Sequence, residues 1–560
     1  MGNFINQLNP AGITLKDLGD GVYGSVPLSS TAQLILEFDP SRTYTDTSIA
    51  HLSHYKIYLG DSPNNPNQTI DSRDLPHPAG TRHVITDLQS KNYYVSVSTV
   101  DLYGNESSRS SEVMMTAQIP VEADLTGATE INSAVTLSSP GIYKIGSSFT
   151  TAGTAIIIDS DDVEIYNPDG YQITYADTEG GKGISITGTR SGWKIIDIDL
   201  QQGAFVPLVA TDDIHGIHNN DSVVSGIIVN PTVHIPHGGT VSGANGDGIA
   251  FQNMRATSEV EIYGGTVTLV GGGRRYGIYA EGSPANFRIE DVTVNLEDCG
   301  TTFGYSRALA LFGGKLRVHG NTVSLDADCS TSRGIPLWGG EDAIITDNTV
   351  TADGGVCQAM TIDGLSEDTI VMRNTLTSFD NSSYRERYGS RRTICTLNDS
   401  TSTGGSSGFF IGNTDASAPI DPGTGLPAVT KDSIFVKNIG TSVNGGYGLR
   451  CAEITIDMLY LDNTFSSDSA TATIFIGAED KYNVMAHEGM VEVGNSLSGP
   501  ATDPIRCTGS DGSVSFAIDF SSPSTDVNVA IGIDNNTYDV DPEPYRPNKT
   551  PNSPSGLVER

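Results

Sequence analysis

A short turn motif built around asparagine recurs through the middle of the chain and constrains the fold more than any other feature. It reads GNTVS at 320–324, DNTVT at 347–351 and RNTLT at 373–377. Asn321 and Asn348 are 27 residues apart, and Asn348 and Asn374 are 26 residues apart. Further members of the series, less regularly spaced, are Asn413, Asn463, Asn495 and Asn536. A period of roughly 20 to 30 residues is typical of solenoids, whose repeats stack on their neighbours.

Each repeat contains three short stretches with the composition of β-strands. They have the forms Gly-Ile-x-Ile, Val-x-Ile and, directly after the asparagine, Thr-Val-x-Leu. Three strands per coil predict a parallel β-helix over residues 121–540, with like strands of successive coils side by side. Asparagine suits the turn between the second and third strands because it tolerates left-handed backbone angles and bonds nearby backbone. We therefore expect an all-β chain with a stacked asparagine ladder.

Composition narrows the class of protein and of partner. With 63 Gly and 18% charged residues, the chain favours strands and turns over helices. The formal net charge of −35 disfavours nucleic acid or an anionic membrane as partner. The six cysteines contain no CxxC pair, which predicts buried thiols rather than zinc ligands or a disulfide framework.

The sequence shows neither a signal peptide nor a membrane span. The N-terminus lacks a charged region followed by an apolar one, and no stretch reaches the roughly 18 apolar residues that a span needs. We therefore expect a virion-associated protein, or one that becomes extracellular by non-classical release. Residues 1–30 are predicted to be an attachment segment, and 541–560 an extended Pro-rich tail.

Residues 31–120 read as short alternating strands separated by turn residues. The strands are predicted at 34–38, 54–59, 83–88 and 93–108, the last being the Tyr-rich YYVSVSTVDLYGNESS. This stretch resembles a fibronectin type III β-sandwich. The resemblance implies a module that binds or spaces and predicts no chemistry of its own.

The three-strand coil with its asparagine turns resembles the pectate-lyase-like superfamily of right-handed parallel β-helices. That superfamily includes pectate lyases, polygalacturonases, mannuronan epimerases and phage tailspike depolymerases. The resemblance implies an acidic polysaccharide as substrate and, by analogy with tailspikes, a homotrimer or attachment to a virion. It implies no required cofactor, although several relatives use Ca²⁺ to neutralise the uronate, so Ca²⁺ stays an alternative here.

A column of polar residues marks the expected groove. Aligning the first strands of successive coils gives a polar leading position in each: Thr154, Lys182, His215, Asp247, Tyr276, Arg307, Arg333 and Gln358, with Arg392 as the next expected member. Neighbours in such a column lie about 4.8 Å apart. The outward position later in the same strand adds His218 and Tyr279, and Arg274 and Arg275 precede Tyr276.

β-Elimination on a uronic acid needs a cation for the carboxylate, a base for the C5 proton and an acid for the leaving oxygen. The column offers two candidates for each role: Arg275 or Arg307 for the carboxylate, His215 or His218 as base, and Tyr276 or Tyr279 as acid. Flanking sugars are expected to contact Lys182, Arg274, Arg333, Trp338, Gln358 and Arg392. Filling the core is the alternative for Trp338.

Three alternatives to elimination stay open. Asn245-Gly246-Asp247-Gly248 resembles the Asn-Thr-Asp-Gly motif of polygalacturonases, which implies hydrolysis by Asp247 with Asp213 or Glu281 as the second carboxylate. C5 epimerisation shares the first proton abstraction with elimination. An adhesin would hold the glycan in the same groove without a reaction.

Overall fold

The computed structural model describes most of the chain between residues 31 and 477, and strands beyond it. The described residues are 10–14, 31–40, 52–119, 123–207, 214–219, 224–237, 246–255, 257–271, 275–282, 285–299, 306–329, 331–412, 430–452, 455–456, 458–468, 473–477, 487–488, 490–498, 505–508, 515–518, 527–531 and 537–539. One compact unit contains Met1–Asp124 and a second contains Leu125–Val540. Apart from the strand Pro10–Thr14, the predicted attachment segment and the Pro-rich tail lie outside the described residues.

The N-terminal unit consists of two antiparallel sheets. One contains Pro10–Thr14, Ala32–Pro40 and Arg82–Leu88, and the other Pro66–Asp71, Leu52–Gly60, Asn92–Asp101 and Val113–Thr116. A single 3₁₀ turn covers Ser72–Asp74. The rings of Phe38 and Tyr55, one from each sheet, meet edge to face at 4.7 Å. The predicted strands are present, although the last ends at Asp101; the fibronectin type III relationship stays a prediction.

The second unit is a parallel β-helix, which confirms the predicted all-β coil of three strands. Its first sheet contains the leading position of each coil. The strands of this sheet are Val135–Leu137, Ile156–Ile158, Lys182–Ile186, Ile214–Asn219, Gly246–Met254, Tyr276–Gly282, Arg307–Phe312, Arg333–Trp338, Gln358–Asp363, Tyr384–Glu386, Phe409–Gly412, Leu449–Ala452, Ile474–Gly477, Ile505–Thr508 and the antiparallel Ser515–Ile518.

Two further sheets complete each coil. The second sheet contains Thr129–Ile131, Gly141–Ile145, Val163–Tyr166, Arg190–Ile196, Val224–Val229, Glu259–Tyr263, Asn286–Glu290, Lys315–His319, Ile344–Thr346, Ile370–Met372, Ile394–Thr396, Ile434–Val436, Leu459–Leu461, Met490–Ser498, Val527–Ile531 and Thr537–Asp539. The third contains Phe149–Thr150, Gln172–Tyr175, Asp199–Gln202, Thr232–Ile235, Thr266–Val270, Thr293–Glu297, Thr322–Leu325, Thr349–Ala352, Thr375–Ser378, Asp399–Ser402, Ile439–Ser442 and Thr464–Ser467, and pairs with Met490–Ser498. Thr430–Lys431, Thr455–Ile456 and His487–Glu488 form a small separate sheet.

The glycine that follows the leading residue in several coils is required by close packing. A Cβ on Gly216, Gly248 or Gly277 would lie 2.2 to 2.3 Å from a valine Cγ1 of the third sheet. These glycines therefore let the first sheet approach the third, and the core between the sheets fills with Ile, Val and Leu.

Two expectations about composition can be checked against the structure. Cys299, Cys329, Cys357, Cys395 and Cys451 are buried free thiols, as predicted. Within the described ranges, no helix combines the length and apolar character needed to cross a bilayer.

The asparagine ladder exists, but two of its members differ from the prediction. Its rungs are Asn321, Asn348, Asn374, Asn398, Asn438, Asn463 and Asn495. In each member after Asn321, the side-chain Oδ1 accepts both the backbone N–H and the Nδ2–H of the preceding asparagine, as Asn348 does from Asn321 at 2.9 Å. Asn398 and Asn438 were missed, while Asn413 and Asn536 lie outside the described residues.

The predicted left-handed backbone at the asparagine was wrong. The positive φ angle belongs to the residue before it, as at Asp347 (φ 56°), Arg373 (φ 56°) and Leu397 (φ 55°). Asparagine occupies its position because a buried turn needs an amide that both donates and accepts, and Asn348 and Asn374 are each 1% exposed.

Asn348→Ala should destabilise the β-helix strongly. The substitution leaves the backbone N–H and the Nδ2 of Asn321 buried without an acceptor, at a cost of roughly 2 to 5 kcal/mol in the free energy of unfolding. Urea unfolding, followed by circular dichroism, measures this loss in the free energy of unfolding. Thr349→Ala, at the exposed next position, is the control and should cost less than about 1 kcal/mol. Equal effects of the two substitutions would contradict this account of the ladder.

Candidate functional site on the outer face of the first sheet

The outer face of the first sheet carries a continuous column of polar side chains. The leading column consists of Lys182, His215, Asp247, Tyr276, Arg307, Arg333 and Gln358. Strand pairing aligns successive members, and the backbone N–H of Tyr276 donates to Asp247 Oδ1 at 3.1 Å. At its start, the N–H of Lys182 donates to the hydroxyl of Thr154 at 3.2 Å. The pairing register of the strands places the members of the leading column in the order expected from the sequence.

A second column runs beside the leading one, three residues further along each strand. It contains His218, Ala250, Tyr279 and Ala310 in register. The rings of His215 and His218 stack with centroids 4.2 Å apart, and those of Tyr276 and Tyr279 lie 4.5 Å apart. Both columns therefore present side chains to the same surface.

His215 and Asp247 form a buried pair on neighbouring coils. His215 Nδ1 lies 3.3 Å from Asp247 Oδ2, and each side chain is 2% exposed. His218 has a different environment. Burial, with smaller effects from the neighbouring His215 and Lys182, lowers the pKa of His218 to about 2. Its imidazole is therefore neutral at any pH near neutrality.

The two tyrosines have different partners. The Tyr279 hydroxyl donates to Glu281 Oε2 at 2.8 Å, and burial together with that bond raises the pKa of Tyr279 well above its usual value. Tyr276 instead faces Arg307, whose guanidinium carbon lies 5.6 Å from the ring centroid of Tyr276. Arg307 also lies 5.0 Å from the ring of Phe312.

Arg307 and Arg275 are placed very differently. In the described part of the chain Arg307 has no carboxylate partner, and its Nε is a buried donor without an acceptor. Arg275 is 1% exposed and donates to the carbonyls of Ile235 and Val270 at 3.3 and 3.0 Å. Burial lowers the pKa of Arg275. Arg275 therefore stabilises the turn before its strand and does not join the column. Arg274 lies outside the described residues.

Arg392 does not continue the column, which corrects the prediction. Met360 pairs with Tyr384, so the position aligned with Gln358 is Ser382. Arg392 lies in the turn that leads to the second sheet. It donates there to Asp368 Oδ1 at 2.7 Å and Glu367 Oε2 at 2.5 Å. The prediction failed because the coil that begins at Gln358 takes only 24 residues to reach Ser382, whereas Arg392 lies 34 residues after Gln358.

A third column, five residues after the leading one, was not expected from the sequence. Strand pairing aligns Glu281, Phe312, Trp338 and Asp363. Asp363 is completely buried and binds two arginines: Arg333 Nη1 donates to its Oδ2 at 3.0 Å, and Arg387 Nε to its Oδ1 at 2.9 Å. The signal was available, because each member follows its leading residue by the same five positions.

Trp338 lies at the surface rather than in the core. Its side chain is 39% exposed, and its ring centroid is 5.9 Å from that of Tyr388. Arg387 links this pair to Asp363, since Arg387 Nη1 donates to the Tyr388 hydroxyl at 2.7 Å. The ring of Trp338 is thus available to a ligand that lies near Arg333 and Arg387.

The side chains that could bind a metal ion either have other hydrogen-bond partners or are not grouped together. Asp159 accepts from Arg190 at 2.6 Å, and Asp161 accepts from the N–H of Ser191 at 2.8 Å. Over the residues that the structure describes, no group of three or more His, Cys, Asp and Glu side chains is arranged to hold a metal ion. Asp213, the first suggested partner of Asp247, lies outside those residues.

Comparison with known proteins finds likeness in structure only. No protein-family model and no curated protein matches the sequence. A crystal structure of a double mutant of the periplasmic alginate epimerase AlgG is 10% identical, with 60% of this chain and 67% of that chain covered and a TM-score of 0.33. The family 28 exopolygalacturonase of Yersinia enterocolitica is 9% identical, with 78% and 95% covered and a TM-score of 0.24.

The parallel β-helix of this chain rests on its own strand pairing. At these identities and scores, no residue of this chain takes a role from either protein.

The depressed pKa of His218 predicts a pH-dependent stability. Unfolded His218 binds a proton below pH 6.5, whereas folded His218 stays neutral down to about pH 2. The contribution of His218 to the free energy of unfolding is therefore complete above pH 6.5, and it is lost as the pH falls below that value. At pH 4 the loss amounts to at most about 3 kcal/mol.

His218→Gln should remove that contribution. The free energy of unfolding of the variant should fall less than that of the wild type between pH 7 and pH 4, as measured by urea unfolding at both values. Ser185→Ala, which changes the residue aligned with His218 on the preceding coil, is the control and should keep the wild-type slope. An unchanged slope for His218→Gln would show that His218 is not buried in this way.

Proposed function

We propose that this chain binds an acidic polysaccharide along the outer face of the first sheet and cleaves it by β-elimination. One observation carries the proposal. His215, Asp247, Tyr276 and Arg307 come from consecutive coils and meet on one surface, and Arg307 has no ion-pair partner in the described chain. In a chain of net charge −35, a partly exposed guanidinium that has no carboxylate partner in the described chain, and whose Nε is a buried donor without an acceptor, is suited to an anionic ligand.

His215 is the proposed base. With Nδ1 directed at Asp247, its Nε2 is the nitrogen that accepts the C5 proton, and the carboxylate of Asp247 stabilises the imidazolium that forms. His218 is a poor base because its pKa of about 2 leaves little affinity for a proton. His218 instead packs against the ring of His215 and limits its orientation.

Tyr276 is the proposed acid and Arg307 the proposed carboxylate ligand. A guanidinium beside the Tyr276 ring stabilises the phenolate that remains when the hydroxyl gives up its proton. Tyr279 keeps its proton, because Glu281 accepts its hydroxyl hydrogen and raises the pKa of Tyr279. Arg307 rather than Arg275 serves the carboxylate, since carbonyl oxygens already bind Arg275 inside the coil.

The reaction then proceeds in two proton transfers. His215 removes the proton from C5, and the electron pair moves onto the carboxylate, which Arg307 holds. As the C4–C5 double bond forms, the C4–O bond breaks and the leaving oxygen takes the Tyr276 proton. The products are an unsaturated uronate and a new chain end, and neither transfer requires a metal or an organic cofactor.

A non-catalytic adhesin is the second candidate, favoured by a specific observation. His215, Tyr276 and Tyr279 are all buried, whereas Arg307 and Lys182 are partly exposed. Such a surface can hold an acidic glycan through its cations without bringing C5 to the base. Hydrolysis is less favoured, because Asp247 is buried, accepts a hydrogen bond from the backbone of Tyr276 and lies 3.3 Å from His215 Nδ1, while Glu281 accepts a hydrogen bond from Tyr279.

The wider setting of the protein is also part of the proposal. A fibronectin type III-like module before a glycan-cleaving β-helix suits a phage depolymerase, with the N-terminal segment attached to the virion and the β-helix forming a homotrimer. This placement rests on the expected fold of residues 31–120.

A screen of anionic polysaccharides tests the reaction type. Alginate, polygalacturonate, glucuronan and bacterial capsules are incubated with the full chain, with and without Ca²⁺, while near-ultraviolet absorbance and reducing ends are followed. Elimination raises both signals, hydrolysis raises reducing ends alone, and an adhesin binds without raising either. Solvent deuterium entering C5 without cleavage identifies an epimerase.

Variants test the assigned roles on the polymer that reacts. His215→Ala and Tyr276→Phe should each lower the rate roughly a hundredfold to ten-thousandfold. His234→Ala on the third sheet and Tyr166→Phe on the second sheet are matched controls and should keep the wild-type rate. Tyr279→Phe should cost less than tenfold, and a larger loss for Tyr279→Phe than for Tyr276→Phe would reverse the assignment.

A further inference from the structure

The arginine cluster around Asp363 is a second concentration of positive charge on the outer face. It contains Arg333, Arg385 and Arg387, from the coils on either side of the strand Gln358–Asp363. Two guanidinium groups thus bind one carboxylate, and the third, Arg385, lies on the adjacent strand over the ring of Phe410. Burial and the nearby charge of Arg387 lower the pKa of Arg333 and lower that of Arg385 to about 10. Clustered cations in a poorly hydrated place are stabilised by an added anion.

Gln358 supplies an independent indication of a ligand. It lies in the leading column beside Arg333 and is 4% exposed. Within the described chain its Oε1 is a buried acceptor with no donor. A buried amide oxygen without a donor is costly unless a bound hydroxyl supplies the hydrogen.

Trp338 completes the set of contacts. Its partly exposed ring lies beside Tyr388, which accepts a hydrogen bond from Arg387. Guanidinium groups for a carboxylate, an acceptor for a hydroxyl and an aromatic ring for an apolar face together match an acidic sugar. A free inorganic anion would leave the ring and the amide oxygen without a role.

We propose that Arg333, Arg387, Gln358 and Trp338 form a remote subsite for an acidic sugar of the bound chain. The inference rests on the proposed function, because the same glycan must also occupy the site at Tyr276. Asp363 holds the two arginines in place through hydrogen bonds at 2.9 and 3.0 Å. The subsite makes binding depend on oligosaccharide length.

The coil spacing sets that length. The strands that contain Tyr276 and Gln358 are separated by three coil steps, which is about 14 Å at roughly 4.8 Å per step. One pyranose unit of an extended glycan spans about one coil step. A dimer at Tyr276 cannot reach Gln358, whereas a hexamer covers both.

Calorimetric binding of defined oligomers tests the subsite. Dimers and hexamers of galacturonate and of mannuronate are titrated into the full chain, with cellohexaose as the uncharged comparison. The wild type should bind the matching hexamer much more tightly than the dimer and should not bind cellohexaose. Arg387→Gln and Trp338→Ala should each reduce this hexamer advantage roughly tenfold or more.

Arg373→Gln is the matched control for loss of charge. Arg373 pairs with Asp347 at 2.9 Å in the turn between the second and third sheets, so its loss should leave the hexamer advantage intact. Arg333→Lys keeps the charge but loses the forked guanidinium, and should reduce the advantage partly. Thermal unfolding of each variant establishes that it is folded.

The outcomes separate the two proposals. A wild type that prefers hexamers, with folded Arg387→Gln and Trp338→Ala variants that do not, supports the subsite. A hexamer advantage unchanged in both variants, or equal wild-type affinity for dimer and hexamer, overturns the subsite and leaves the function proposed for Tyr276 standing. A wild type that binds no uronate oligomer overturns both.

Discussion

The register between stacked coils is the constraint on which the rest of the structure depends. Parallel pairing repeats each side chain position about 4.8 Å further along the helix, so a residue type at one coil position becomes a column. From Asn321 to Asn495 a buried asparagine ladder reinforces that register, because each amide after Asn321 accepts two hydrogen bonds from the asparagine before it. In the coils of Lys182 to Tyr276, which precede the ladder, parallel strand pairing aligns the columns. A slip of one residue in either part would bury outward side chains. The site is therefore a consequence of the register.

Much of the architecture could be predicted because the repeat is local. The Asn-Thr spacing and the Gly or Ala after each leading residue predicted the coils and the order of Lys182 to Gln358. The sequence could not place Arg392 or identify Asn398 and Asn438, because loop length varies between coils and shifts every later position. Arg387 was missed for another reason: its importance comes from a contact with Asp363 on the neighbouring coil, and no spacing within one strand encodes that contact.

The candidate site combines residues of the same type in different environments. His215 lies beside a carboxylate, whereas His218 stacks on a ring and burial lowers its pKa to about 2. Arg307 lies beside two rings, whereas Arg275 donates to two carbonyls. The sequence could offer these residues as pairs, but burial and partners distinguish the two members of each pair.

The central claim is that an acidic glycan lies along the outer face of the first sheet. Hydroxyl-radical footprinting with and without the most tightly bound uronate polymer tests it most directly. Trp338, 39% exposed on that face, should become protected, while Phe379, 47% exposed after the third sheet, and Met114, 55% exposed in the N-terminal unit, should oxidise as before. Unchanged oxidation of Trp338, or protection of Phe379 instead, would contradict the account.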